Sequence, residues 1–264
     1  MSLKNGENGK NREFCNYLLP MSLYIDTKES DGYTAVMPRL ARIVIPGLPH
    51  HVTQRGNHRQ DVFLREEDRT IYLELLQTQA ALYGLSLLGY CLMTNHVDHL
   101  SVPALESSLA RAVGGTHLRY TLQFNARERR QGHLWQNRFS SCPLDEGYCW
   151  RVLRCLELNP QRAGLVEAPE DYPWSSAAVH LGLRPAPPWL DMTAWAAAWT
   201  PATWRDFLLG ADADEDLPLL RAATALGRPL GSESFLDRLE ALTGMSFRVN
   251  KRGRPKKTPE RNAE

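Results

Sequence analysis

The sequence predicts an α+β fold of ferredoxin type: a βαβ-βαβ antiparallel sheet with helices on one face, then a C-terminal helical extension and a basic tail. Three observations predict it. Between Ile43 and Leu158, strand and helix patterns follow the order strand, helix, strand, strand, helix, strand, helix. This is the order of two interleaved βαβ units. After Trp174-Ser175-Ser176 the texture changes to prolines and an Ala- and Trp-rich stretch. After Asn250 the chain is too polar to fold alone.

The first strand is read at His50-His51-Val52-Thr53-Gln54-Arg55, running into the turn Gly56-Asn57. Residues 66–83 carry a helical apolar stripe at Ile71, Leu73, Leu75, Leu76 and Ala80, and Gly84 is placed as its C-cap. Leu85 to Met93 is an apolar run with the length of a buried strand. Thr94-Asn95 turns the chain, and His96 to Val102 forms the next strand, stopped by Pro103. Glu106 to Phe124 is helical despite Gly114-Gly115. Phe139 to Leu144 is a strand, and Asp145 to Leu158 a helix ended by Asn159-Pro160. Beyond Pro185, Pro187 and Pro188, the residues Trp189, Trp195, Trp199 and Trp204 are expected to pack a small helical part. Ser232 is a suitable N-cap for a helix over Glu233 to Leu242, and Thr243-Gly244 ends it.

The implied divisions are an extension at 1–36, a main domain at 37–182, a linker and helical segment at 183–218, a small helical region at 219–248 and a basic tail at 249–264. The extension has no sustained period and is expected to be mobile, with Met37 a second candidate start.

Composition narrows the function classes. The chain has 264 residues, a net charge of +1 and 43% hydrophobic residues, ordinary for a globular protein. Charge is unevenly placed: six basic and no acidic residues lie between Arg248 and Lys257, whereas Asp206 to Asp216 is acidic. Five cysteines in no zinc-like spacing are expected to stay reduced in a cytoplasm. No apolar run approaches the roughly 18 residues of a membrane span, so no membrane partner is expected.

Three short motifs carry candidate chemistry. In Met93-Thr94-Asn95-His96-Val97-Asp98-His99, strand alternation puts His96 and Asp98 on one face and His99 on the other. An imidazole and a carboxylate sharing a face can hold a hard divalent ion such as Mg²⁺ or Mn²⁺. In Gly132-His133-Leu134-Trp135-Gln136-Asn137-Arg138-Phe139, donors, a cation and aromatics mix as they do on nucleic-acid surfaces. In Arg154-Cys155-Leu156-Glu157-Leu158-Asn159-Pro160, Cys155 and Asn159 are four apart and share a helical face.

Together these pieces resemble the REP-associated tyrosine branch of the HUH single-tyrosine, insertion-sequence-200-like transposases. The matching set is Met37-Pro38-Arg39, His51 to Asn57, Met93 to His96, Gly132 to Phe139, and Leu158-Asn159-Pro160 with Arg162 to Val166. The resemblance implies a DNA transposase that cuts and rejoins single-stranded or hairpin DNA. Two strand histidines and a polar residue on the last helix hold a divalent metal, Mg²⁺ or Mn²⁺. A tyrosine one turn before that polar residue attacks a phosphate and becomes a phosphotyrosine. His96 and Asn159 match the first histidine and the helix ligand. Arg55, Asn57, His133, Trp135, Gln136 and Arg138 are the implied DNA contacts. The protein is expected to act as a monomer or homodimer, in a nucleoid-associated cytoplasmic setting.

Two positions depart from the family pattern. Asp98 stands where the second histidine belongs, and Cys155 where the tyrosine belongs. Asp is a competent ligand for Mg²⁺ or Mn²⁺; alternatively, a bulge would bring His99 to the site. Cysteine is shorter than tyrosine by most of a ring, and a misplacement of about 1 Å can cost on the order of 100-fold. Tyr148 is an alternative nucleophile, about 10.5 Å from Cys155 along a helix axis. Strand cleavage is therefore doubtful, and the alternative function is a catalytically inactive DNA-binding protein that keeps the fold. Separately, Lys251 to Lys257 resembles an AT-hook: Arg252, Gly253, Arg254, Lys256 and Lys257 would contact the minor groove of duplex DNA.

Overall fold

The computed structural model describes residues 42–210 and 217–248. The expectations for residues 1–36 and for the AT-hook-like segment, with Arg252, Gly253, Arg254, Lys256 and Lys257, lie outside the described residues.

The expected βαβ-βαβ order is present. Strands β1 (His50–Arg55), β2 (Leu85–Met93), β3 (His96–Pro103) and β4 (Ser140–Pro143) form one sheet in the order β2-β3-β1-β4, with every neighbour antiparallel. Helices α1 (Glu66–Tyr83) and α2 (Ser108–Arg127) connect the strands, and α3 (Glu146–Arg162) follows the last one. The start of α1 is set by Asp68, whose carboxylate accepts the Leu64 and Arg65 N–H groups at 2.7 and 3.0 Å. This satisfies donors that a helix start leaves open. Its end is set by Gly84 at φ 63, the left-handed conformation that glycine adopts without a Cβ penalty.

The helices do not share one face of the sheet, as the sequence suggested. Alternation along the strands feeds two cores. Val52, Leu87, Leu92 and Val97 pack against α1 and α2 with Tyr72, Leu76, Leu109 and Val113. Leu88, Cys91, Met93 and Leu100 point the opposite way and pack under α3 with Leu153 and Leu156. Strands apolar on both faces require two covering layers. The C-terminal helices α4 (Ala177–His180), α5 (Thr193–Ala198), α6 (Pro201–Leu208) and α7 (Leu217–Leu226) supply much of the second layer, whereas α8 (Glu233–Thr243) packs Phe235 and Leu239 in a small separate cluster with Ile45 and Phe247. Trp195 and Trp204 are buried in the α3 core, and Trp189 and Trp199 are packed against the cores, which is the packing role expected of them.

The C-terminal region is thus not a detached unit. The Leu230 N–H donates to the Pro143 carbonyl and the Asp145 N–H to that of Leu230, extending the β4 edge. Helix α3 also runs on through Asn159-Pro160 to Arg162. Pro160 sits two residues before its end, where the ring removes a single hydrogen bond and the helix stops soon afterwards.

Close packing between β2 and α3 depends on Gly89, next to the register irregularity in β2. A Cβ there would lie 2.2 Å from Leu153 Cδ1 and 3.1 Å from Ser176 Oγ. We expect Gly89→Val to destabilise the fold by about 1–3 kcal/mol through overpacking. Urea unfolding checks this; combining it with Leu153→Ala should recover part of the loss, and strict additivity would contradict the contact.

Candidate metal and nucleic-acid cleft

The centre of the site is Asp98 on β3. Directly opposite on β1 stands Thr53, with Arg55 opposite His96. His96 and Asp98 share the α3 face of the sheet, as alternation predicts. His96 Nε2 lies 3.4 Å from Asp98 Oδ2. Asn159, one turn beyond Cys155 on α3, donates its amide to the same Oδ2 at 3.2 Å. An amide and its flipped form are equivalent in outline, so Asn159 can equally turn its oxygen toward a cation.

His51 completes the arrangement, and sequence reasoning missed it as a site residue. It pairs with Leu100, which makes it a diagonal neighbour of Asp98. Its Nε2 lies 3.6 Å from Asp98 Oδ1 and, although buried, has no hydrogen-bond partner. Its Nδ1 is held by Thr224 Oγ1 of α7 at 2.9 Å. The signal available in the sequence was the period of β1, but His51 reaches Asp98 only through strand pairing, which periodicity does not reveal.

Electrostatics suit a cation. Burial raises the Asp98 pKa, but His96, His51 and a Thr53 hydrogen bond outweigh it and hold the carboxyl at about 2. Asp98 is therefore an anion at neutral pH, 6% exposed at the base of an open cleft of about 740 Å³. Arg55, Gln136, Arg138 and Arg221 line the cleft, and α7 forms one wall with Leu217 and Leu220. Among the described residues, no three His, Cys, Asp or Glu side chains converge tightly enough to form a metal cage by themselves. The donors around Asp98 are two imidazoles and an amide, and the unpartnered His51 nitrogen is aimed at the carboxylate. This set fits a divalent ion that prefers nitrogen and oxygen ligands.

Several expected residues are not in this site. His99 faces the α1/α2 core. The β3 pairing is regular from His96 to Ser101 on the β1 side, and the irregularity in β2 lies at Leu87/Gly89, so no bulge turns His99 round. Both ring nitrogens of His99 are buried without hydrogen-bond partners, and burial and His51 push its pKa down to about 3, with Asp98 opposing. Tyr148 sits in the first turn of α3, 11 residues before Asn159, about 16 Å along the axis. It does not line the cleft, and its ring lies under the Arg151 guanidinium at 5.2 Å. Among other tyrosines, Tyr120 of α2 is no closer: it is buried on the other side of the sheet, its hydroxyl donating to the Val62 carbonyl.

Trp135 is also corrected. It is 8% exposed and stacks in the α1/α2 core, 4.6 Å from the His117 ring. Its neighbours explain this: the Gly56 bridge and the Gln136 N–H to the Arg55 carbonyl tie this segment beside β1, turning the indole inward and Gln136 and Arg138 outward. His133 and Asn57 lie near this segment, outside the cleft lining, with Asn57 N–H donating to the Leu134 carbonyl. Cys155 does line the cleft, 3% exposed.

Residues 45–153 match the family model described as transposase IS200 like. This segment of the chain is thus similar to IS200-like transposases. The matched segment contains His51, His96 and Asp98 and ends within α3, two residues before Cys155. Two solved structures are similar. One is described as a REP-associated tyrosine transposase bound to a REP hairpin, with 17% identity, a TM-score of 0.44, and 60% of this chain and 96% of that one covered. The other is described as a transposase from Deinococcus radiodurans R1, with 18% identity, a TM-score of 0.33 and coverage of 50% and 96%. No curated protein matches the chain in sequence. No helix among the described residues is long and apolar enough to cross a membrane.

Proposed function

We propose that the chain is a transposase-like DNA-binding protein that takes single-stranded or hairpin DNA in the Asp98 cleft and is impaired in cutting it. The observation that carries this reading is the cleft itself: an ionised carboxylate flanked by His51, His96 and Asn159, rimmed by Arg55, Arg138 and Arg221, with Cys155 rather than a tyrosine on the α3 wall.

His96, Asp98 and Asn159 would hold Mg²⁺ or Mn²⁺, with His51 as a further nitrogen donor. The ion, when bound, supplies Lewis-acid polarisation of a phosphate oxygen. Thr224 fixes the His51 ring through Nδ1, leaving Nε2 toward Asp98. Such outer contacts orient ligands and tune their affinity. The three arginines attract the phosphodiester backbone and position it without reading sequence. Among the described residues, no tyrosine lines the cleft, so a phosphotyrosine has no donor there.

Two measurements test this. Calorimetry should show Mn²⁺ binding to the wild-type chain and none to His96→Ala; equal binding by the variant would remove the metal site. Labelled hairpin and single-stranded DNAs should be retained by the native chain with Mn²⁺ without a covalent adduct on a denaturing gel. The Asp98→His, Cys155→Tyr double variant run beside it should form one. An adduct with the native chain would overturn the impairment and identify its own nucleophile.

A further inference from the structure

The cleft does not end at α7. A second groove of about 720 Å³ adjoins it and shares Asn137, Arg138, Ser140, Thr224 and Ala225 with it. The two therefore run on from each other across the C-terminal turn of α7. The far wall is built from Arg42, Phe139, Arg228, Ser246 and Phe247. Much of it comes from residues 224–247, a region past the family match and supplied by the C-terminal helices.

The groove is cationic without internal compensation. None of its lining residues is Asp or Glu. Among the described residues, Arg42, Arg138 and Arg228 form no ion pair. The Arg42 guanidinium lies 3.5 Å over the Phe139 ring and donates to the Phe139 carbonyl at 2.6 Å, which holds it in place. Burial, and then the neighbouring Arg138 cation, lower its pKa to about 10. Two guanidiniums held near each other with no carboxylate between them make a site that an anion would stabilise. The Ser140 hydroxyl adds a donor, and the exposed Met245 adds apolar surface. Cations, hydroxyl donors and apolar patches along an open channel are what a single strand needs for its phosphates and bases.

We propose that this groove carries single-stranded DNA leading on from the Asp98 cleft, so that the C-terminal helices lengthen the strand path beyond the matched segment. This rests on the DNA-binding reading of the cleft. A strand fits better than a duplex, because the groove is walled on both sides, by the 137–141 segment and by 245–247.

The test uses the full chain and hairpin DNAs with no tail, a 5′ or 3′ oligothymidine tail, or an added duplex stem of the same charge, followed by fluorescence anisotropy. The wild-type chain should gain about tenfold in affinity from one tail, a change worth roughly 1.4 kcal/mol. Arg42→Ala, Arg228→Ala should lose most of that gain while binding the tailless hairpin as before. The salt slope of tail binding should fall by about 0.7 for each phosphate contact removed. The Arg42→Lys, Arg228→Lys variant should keep most of the gain. If loss of Arg42 lowers the melting temperature, Arg228→Ala alone, at a half-buried turn position, carries the test. A tail gain unchanged by these variants, no gain, or an equal gain from duplex extension overturns the groove alone. Failure of the wild-type chain to bind any of these DNAs overturns the DNA reading itself.

Discussion

Glu157→Ala is expected to be among the most destabilising single substitutions in the molecule, costing about 3–5 kcal/mol. Glu157 lies on α3, turned away from the Asp98 cleft and fully buried. Its Oε1 accepts from Ser176 Oγ at 2.7 Å and from His180 Nδ1 at 2.5 Å, and its Oε2 from Trp204 Nε1 at 2.9 Å. One carboxylate therefore ties α3 to the start of α4, the end of α4 and α6. His180 and Trp204 are themselves 0% exposed, so truncation strands their N–H groups away from water. Leaving a buried donor unmatched costs more than the bond itself contributed. At about 2–4 °C per kcal/mol for a chain of this size, the midpoint should fall by roughly 6–20 °C. Glu157→Gln, which keeps one acceptor oxygen, should fall less. Glu74→Ala, on the exposed face of α1, should stay within about 0.5 kcal/mol of the parent. A Glu157→Ala melt as small as that of Glu74→Ala would show that the network contributes little. Because α3 also presents Asn159 and Cys155, loosening this network should weaken the proposed Mn²⁺ binding as well.

Acid should destabilise the chain well above the carboxylate range. Burial pushes three histidines down: His50 to about 4, with the Leu48 carbonyl opposing; His99 to about 3; and His117 to about 3, with His99 adding to the effect. His50 is locked as the neutral ring: its Nδ1 bonds the Leu48 carbonyl and its Nε2 accepts the Ile45 N–H. His117 Nε2 pairs with the Tyr72 hydroxyl inside the α1/α2 core. In the unfolded chain each ring takes a proton near pH 6.5, but in the fold none does until pH 3–4. The unfolded state thus binds more protons throughout that window, and stability rises with pH across it. Above pH 6.5 both states hold these rings neutral and the dependence vanishes. Three such groups give a limiting slope of about 4 kcal/mol per pH unit. Asp98, held near 2, adds a further loss only below its unfolded value near 3.8. Melting temperatures between pH 8 and pH 4 should be level at first and then fall steeply below pH 6.5. His117→Gln should remove about one proton from the slope. A flat profile to pH 4.5 would mean that these rings accept protons within the fold.

These properties were unequally legible in the amino-acid sequence. Local periodicity sufficed for α1, β2 and β3, because helix and strand repeats depend on near neighbours. The same period put His96 and Asp98 on one face. The Gly84 and Ser232 caps were also legible, since capping is settled within about four residues. Ser232 indeed accepts the Phe235 N–H at the start of α8.

The order of elements, their caps, the shared face of His96 and Asp98, and the absence of a tyrosine at position 155 all follow from the amino-acid order alone. Other features arose only on folding. His51 joined the site through strand pairing across β1 and β3, and Trp135 left it because a bridge to Gly56 turned the indole into the core. Helix α3 covered the opposite face from α1 and α2, and α7 became a wall of the cleft through Thr224. The difference is one of range. Backbone periodicity and capping act within one or two turns of chain, whereas a side chain's partners depend on which surfaces meet once both faces of the sheet are buried, and the partners of Glu157 and His51 lie from 19 to 173 residues away in sequence.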